Sequence, residues 1–583
     1  MSYDPELPIS EEVGAEKHRQ KGETFEDAMR RQARALADDE EHRASLEDIY
    51  LSRRFLNAGR VQKAAGSMHQ ITAFNCFVSG EIEDSMEGIM DKVKEAALTM
   101  QKGGGIGYDF STIRPKGDRV EGLDSIASGV LSFMRVFDAT CATVASAGNR
   151  RGAQMAVLRV DHPEIEDYVE AKRNHDQFTM FNMSVGATDA FMEAVLFDRE
   201  WELHFKGKVH KTIRARDLWD RIMSSTWDWA EPGVLFIDRI NEMNNLSGIE
   251  RINATNPCGE QPLPPYGACL LGSINWSAYV YEHDGFWQFD RVQLLSDIPH
   301  IVRALDNVID RTIYPLPQQE AEAKAKRRMG IGASGVANAV EAVTGSPYGS
   351  QAFREFCDDL QRMITETCYR ASASLAEEKG CFPLYDPDEY IFGEFIQRLS
   401  MDTRAFIAER GMRNSHLISM APTGSISLAA DNISSGIEPV FSYGFDRTVL
   451  MADGSEKVER VSDYGYRVFG VEGKTADQLT PMEHVSVLET FQKWTDSACS
   501  KTCNIGSEVT FEEFKDVHME AWRVGAKGCT TFRAAGKRFG ILNVADEEED
   551  GAQQEEIDFE YPDEVGEGGA CYIDPSTGMK SCD

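Results

Sequence analysis

The chain has 583 residues, 42% of them hydrophobic and 27% charged, which is the composition of a soluble globular protein with room for one very large core or a few domains. Its 61 lysines and arginines against 96 acids leave a formal charge of −35, which argues against a nucleic-acid or anionic-membrane surface. An anionic ligand would have to be held by local devices such as helix N-termini or single arginines.

In chain order, "MSYDPELPISEEVG" carries no basic region followed by an apolar stretch, so no secretory signal is expected. No apolar run approaches the ~18 residues of a membrane span, so no membrane partner is expected. Residues 1–60 alternate charge with helical apolar spacing and predict an N-terminal helical region. Residues 61–545 mix short apolar runs with longer helical patterns and show no break wide enough for a linker, which predicts one large α/β domain. Within it, "AFNCFVSGEIEDSMEGI" puts Cys76 at the end of a β-like run. "QKGGGIGYDF" is not a dinucleotide fingerprint, because the third glycine is missing at position 110, but its glycines imply a close backbone approach.

The segment "NATNPCGEQPLPPYGACLLGSIN" sets Cys258 between Asn256 and Glu260, with Cys269 eleven positions further on. Its prolines and glycines speak against regular structure, so Cys258 is expected to be displayed rather than packed as a small hydrophobe. "SMAPTGSISLAADNISSGIEP" has a Pro-Thr-Gly-Ser turn leading into a plausible helix, a good phosphate cradle. "GVEGKT" lacks the first glycine of a phosphate loop. "CSKTC" has no second ligand pair for zinc, so Cys499 and Cys503 are read as core or loop thiols and no metal is expected.

From Asp546 the tail holds fourteen acids, one base and five glycines, and is expected to be disordered. It ends in "GGACYIDPSTGMKSCD", with Cys571 and Cys582 near the terminus. Twelve cysteines in so long a chain are not a disulfide scaffold; a cytoplasmic setting keeps them reduced, and a pair that oxidises there works rather than staples.

Taken together and in this order, these stretches closely resemble the catalytic subunit of ribonucleotide reductase over roughly residues 50–540. "SACSKTCN" and "EAWRVGAKGCTTFR" resemble its adenosylcobalamin-dependent class II. The resemblance implies a ten-stranded α/β barrel of two five-stranded halves, with the radical cysteine on a finger loop threaded into it. It implies that Cys258 carries a thiyl, that Glu260 takes the 3′-hydroxyl proton and that Asn256 holds the sugar hydroxyls. Cys76 and Cys269 would supply two electrons and end as a disulfide. Asn75, Gly105 and the turn Pro422, Thr423, Gly424, Ser425 and Ile426 would contact a ribonucleoside di- or triphosphate. Asp84, Ser85 and Arg114 match the region binding a deoxynucleoside triphosphate specificity effector. In "SAGNRRGAQM", Arg151 would be the base-side contact relaying effector identity.

The same resemblance makes Cys571 and Cys582 the shuttle to thioredoxin or a similar reductant. The 25 residues of linker 546–570 span about 25–30 Å as a flexible coil, enough to reach inward from the surface. A homodimer is compatible with it. The iron-dependent class I large subunit is the nearest rival, but Tyr561 and Tyr572 stand apart where that class has adjacent tyrosines. A non-catalytic nucleotide-binding regulator is the other, and the complete central constellation argues against it.

Overall fold

The computed structural model describes residues 4–120, 122–144, 153–173, 177–450 and 456–533, the backbone alone for 445–450 and 456–460, and the backbone of two short strands near the end. Helix α1 (Phe25–Leu36) starts at Thr24, whose hydroxyl accepts from Asp27 N, and α2 (Glu40–Leu51) starts at Asp39, whose carboxylate accepts from His42 N. Asp38, between them, meets Arg303 at 3.0 Å, Arg311 at 3.0 Å and Lys379 at 2.6 Å. Burial opposes ionisation of Asp38, yet hydrogen bonds from Lys379 and Arg303 hold its carboxyl down at about 2. The helical region is thereby clamped onto α4 (Arg291–Arg311) and α5 (Gln351–Lys379), two body helices introduced after α3 (Met86–Gln101). Its last residues are not helical: β1 (Phe55–Asn57) joins a sheet of the body.

That body holds two principal sheets. The strands are β2 (Cys76–Val78), β3 (Gly105–Asp109), β4 (Gln154–Arg159), β5 (Phe181–Ala187), β6 (Gly233–Phe236), β7 (Ala254–Thr255), β8 (Pro262–Leu263), β9 (Ala268–Cys269), β10 (Leu271–Asn275), β11 (Gly330–Ser334), β12 (Thr502–Asn504) and β13 (Gly528–Phe532). An eight-stranded sheet runs β9-β2-β3-β4-β5-β6-β13-β12, and a three-stranded one β1-β10-β11. From β2 to β6 every neighbour is parallel; both outer joins, β9 to β2 and β6 to β13, are antiparallel. The parallel strands are buried almost throughout, as in β4, where only the last residue is partly exposed. Strands covered on both faces need continuous apolar runs rather than alternation.

The two sheets are tied at both ends. Only Leu270 separates β9 from β10, and parallel bridges link Ile331 to Ile418 and Met420 to Cys499. The helices pack outside: α4 buries Leu294, Ile298, Ile301, Val302, Leu305, Val308 and Ile309, an apolar stripe at helical spacing. No described helix is long and apolar enough to cross a membrane.

One expectation changes here. The proline-rich stretch after residue 253 is regular after all, because Ala254–Thr255 pairs with Pro262–Leu263 as an antiparallel hairpin. Prolines at positions 262, 264 and 265 tolerate this because the hairpin needs few ladder donors. Of the tail, β14 (Cys571–Ile573) and β15 (Lys580–Cys582) form a two-stranded antiparallel ribbon with Cys571 opposite Cys582, and the disorder expected of the rest lies outside the described residues. The backbone of β15 lies beside helix α6 (Gly424–Ala429).

Candidate active site

The hairpin β7–β8 turns on Asn256-Pro257-Cys258-Gly259. Gly259 N donates to Asn256 O at 3.1 Å, and Asn256 N donates to Gln261 O at 3.1 Å. Proline suits the second position of such a turn, and Gly259 adopts φ of +84°. Asn256 Oδ1 locks the tip by accepting from Gln261 N at 3.0 Å. Its Nδ2 is buried and finds no partner among the described residues.

Three contacts hold the tip in place. Asn182 Nδ2 donates to Pro257 O at 2.9 Å, and Glu260 O accepts from Ala498 N and Ser419 Oγ, both at 2.9 Å. The glycines of "GGGIGY" supply the room: a Cβ on Gly107 would stand 1.9 Å from Thr255 O, and one on Gly105 would stand 3.3 Å from Cys76 Sγ and 3.4 Å from Pro257 Cγ. Residue 258 is therefore not displayed to solvent. Cys258 and Glu260 are each 1% exposed, and the hairpin presents them to interior cavities.

Two cavities flank the tip. The first, with about 400 Å³ of empty space, is bordered by Asn75, Cys76, Glu260, Ser273, Pro422, Thr423 and Ile426. The second, of about 360 Å³, is bordered by Cys258, Gly259, Gly233, Cys499, Lys501, Gly528 and Cys529. Glu260 borders the first and Cys258 the second, two positions apart on the same turn. Cys258 is in a disulfide in this structure, whereas Cys76 and Cys269 carry thiols.

Cys76 and Cys269 are directly opposite each other across the β2–β9 pairing. Opposite residues of an antiparallel pair have Cα atoms about 4.5–5.5 Å apart, within the span a disulfide needs. Burial, the Glu260 carboxylate and the Cys76 sulfur together push the Cys269 thiol far above its ordinary pKa, so it keeps its proton. Asn75 N donates to Cys269 O at 3.2 Å, while Asn75 Oδ1 is buried and unpartnered among the described residues.

The 422–426 turn enters the same cavity. Thr423 sits at φ +53°, and its hydroxyl accepts from Gly436 N at 2.7 Å, so this side chain fastens the turn to the 434–436 loop. Gly424 and Ser425 open α6; Ser425 Oγ is buried without a partner among the described residues, and Ile426 packs with Leu56, Ala430 and Ile433. Away from here, Asp84 accepts from Arg114 N and Nε at 3.0 Å each and from Lys206 Nζ at 3.0 Å. Burial opposes the charge on Asp84, but these donors hold its carboxyl below the usual range. Ser85 caps α3, its hydroxyl accepting from Gly88 N at 3.0 Å. Arg151 lies outside the described residues.

Sequence reasoning missed Lys501 and Glu438, a buried ion pair beside the second cavity, because nothing local marks a lysine between two cysteines as buried. It also treated Cys529 as part of a family signature only, although it borders the cavity that Cys258 faces. Cys503 is a buried thiol of β12 and Cys499 a buried thiol at an isolated bridge to Met420, and no metal-ligating cluster occurs among the described residues.

A family profile for the barrel domain of ribonucleotide reductase matches residues 74–532. A vitamin B12-dependent ribonucleoside-diphosphate reductase of Thermoplasma acidophilum is 33% identical over 547 residues, covering 89% of this chain and 67% of that protein. One from Mycobacterium tuberculosis is 36% identical over 500 residues, covering 81% and 67%. The ribonucleoside-diphosphate reductase large subunit of vaccinia virus is 29% identical over 439 residues, covering 67% and 55%. With its thiol pair, buried carboxylate and turn-borne cysteine inside the matched segment, this chain belongs to the ribonucleotide reductase family.

Proposed function

We propose that the chain reduces ribonucleoside diphosphates to 2′-deoxyribonucleoside diphosphates by a thiyl mechanism, with adenosylcobalamin as radical source and a thioredoxin-type dithiol as final reductant. The single observation that carries this reading is the placement of Cys76 opposite Cys269 beside the buried Glu260. Two electrons and protons are thus stored at the wall of a cavity that also has a proton acceptor. A closed ten-stranded barrel fits the strand joins: β2 to β6 form one half, and β13, β12, residues 418–420, β11 and β10 the other.

In this scheme Cys258, once reduced to the thiol and oxidised to a thiyl, takes the 3′-hydrogen of the ribose. Glu260 accepts the 3′-hydroxyl proton and Asn256 Nδ2 donates to a sugar hydroxyl. The 2′-hydroxyl leaves as water with one thiol proton, and the other thiol hydrogen goes to C2′. Glu260 returns its proton to the 3′-oxygen, and Cys76 and Cys269 end as a disulfide. Cys258 then returns the hydrogen to C3′. The phosphates are held at the start of α6, where the first N–H groups of a helix have no intrahelical partner.

The space on the Cys258 side, about 360 Å³, would take only the part of the cofactor that approaches the Cys258 sulfur. Gly259, Cys499 and Cys529 border this space and would lie against the group. When bound, adenosylcobalamin would supply the radical that accepts the hydrogen atom of the Cys258 thiol. The test is turnover by the purified chain, pre-reduced at Cys258: deoxynucleotide formation is expected with adenosylcobalamin alone. Activity that needs iron and a partner subunit and ignores cobalamin would overturn the proposal.

Cys76→Ser and Cys269→Ser are each expected to permit 3′-hydrogen exchange yet reduce deoxynucleotide yield at least about a hundredfold, with base release instead. Normal yield in either variant would dismiss the pair. For the tail, Cys571 and Cys582 would carry electrons from the external dithiol to the Cys76–Cys269 disulfide by thiol–disulfide exchange. Asp84, Ser85, Arg114 and Arg151 would read a deoxynucleoside triphosphate effector. Asp84→Ala is expected to cut effector-driven shifts in base preference at least about fivefold, the low end of usual coupling. An undiminished shift in a competition assay would remove Asp84 from that role.

A further inference from the structure

Lys501 and Glu438 are buried charges with no part in the scheme above. The Lys501 side chain is fully buried, and its ammonium donates to Glu438 Oε2, to His484 Nδ1 at 2.9 Å and to Thr502 O at 2.8 Å. Glu438 Oε1 accepts from Thr502 N at 2.7 Å. All three ammonium protons are used, so the lysine is held in one place. Burying such a pair costs heavily in desolvation, and apolar replacements of similar volume are often as stable or more so. Stability alone is a poor reason for it; position is a better one.

Lys501 borders one cavity, the one that Cys258 borders, and Glu438 is wired to the turn that borders the other. Glu438 N donates to Ser435 O at 2.9 Å, Ser435 Oγ shares a hydrogen bond with Ser427 Oγ at 3.0 Å, and Gly436 N donates to Thr423 Oγ1 at 2.7 Å. That path ends on the turn bordering the other cavity. Gly436 has no slack there, since a Cβ would stand 2.6 Å from Ala421 O.

Resting on the cofactor and substrate reading above, we propose that Lys501 and Glu438 form a positioning pair that couples nucleotide binding at the Thr423 turn to cofactor binding in the Cys258 cavity. A nucleotide that settles the turn settles the 434–438 loop, and through the ion pair the 499–502 wall. The coupling is reciprocal: each ligand tightens the other by the same factor.

Isothermal titration of cyanocobalamin, which has no adenosyl group to start turnover, into the pre-reduced full chain, with and without a ribonucleoside diphosphate, tests this. The nucleotide is expected to tighten cobalamin binding at least about fivefold in the unmutated chain. Glu438→Gln and Lys501→Met are expected to bring that factor close to one, with nucleotide affinity measured alone changed by less than about threefold. Because each single change strands a buried charge, the double variant Lys501→Met/Glu438→Leu, which removes both, is the second arm, with the same loss expected. A coupling factor unchanged in the double variant overturns the proposal, as does an unmutated chain that binds both ligands without coupling. A chain that binds no cobalamin removes the cofactor reading itself, and this pair's role with it.

Discussion

Cys258→Ser is expected to lower deoxynucleotide formation at least about a thousandfold, the scale on which removing a covalently acting residue is felt. The reason lies in one atom. A serine O–H bond is too strong to be oxidised to a usable radical, whereas the cysteine S–H bond is weak enough to form a thiyl and strong enough to make hydrogen abstraction reversible. The side chain is 1% exposed, and oxygen is smaller than sulfur, so the turn Asn256–Gly259 has room for the change. Its backbone hydrogen bonds do not involve the 258 side chain. Nucleotide affinity, measured by equilibrium dialysis under reducing conditions, should stay close to that of the unmutated chain. Substantial turnover by the serine variant, quantified by chromatography of the products, would end the assignment of Cys258 as the radical site.

Gly107→Ala should be the most damaging change away from the reacting atoms. The added methyl would lie 1.9 Å from Thr255 O and 3.0 Å from Thr255 C, and both are backbone atoms that no rotamer change can move aside. Either β3 or the hairpin must shift, at about 3 kcal/mol, the upper end of ordinary overpacking. A displacement near 1 Å at the tip would also cost roughly a hundredfold in turnover, because the reacting groups lose alignment. Gly393→Ala is a fitting control, since its nearest new neighbour would be Tyr390 O at 3.3 Å. Thermal unfolding and turnover of the two variants separate the outcomes. A Gly107 variant as stable and active as the control would mean that the hairpin does not pass across β3.

Several features were legible in the sequence because they are local. The Asn-Pro-Cys-Gly turn is local too, built on proline's fixed φ and glycine's positive φ, but the same residues read as irregular and hid the hairpin. Thr24, Asp39 and Ser85 cap the helices that begin after them, and the spacing of α4 declares its buried face. The glycines at 105 and 107 announced that backbone would come close, without saying whose.

What only the tertiary structure decided depends on residues that are distant along the chain. Cys76 meets Cys269 through the register of β2 with β9, and a one-residue slip would turn one of them to the other face. That Cys258 and Glu260 are buried rather than displayed follows from how Asn182, Ser419 and Ala498 grip the hairpin. Thr423, read as a ligand for phosphate, spends its hydroxyl on Gly436 because the loop after α6 folds back over it. Lys501 and Glu438 lie 63 positions apart and become a pair only when burial removes water as an alternative partner for both charges. Residue type and local geometry thus determined which chemistry the chain could carry, and packing of distant segments determined which groups share a cavity.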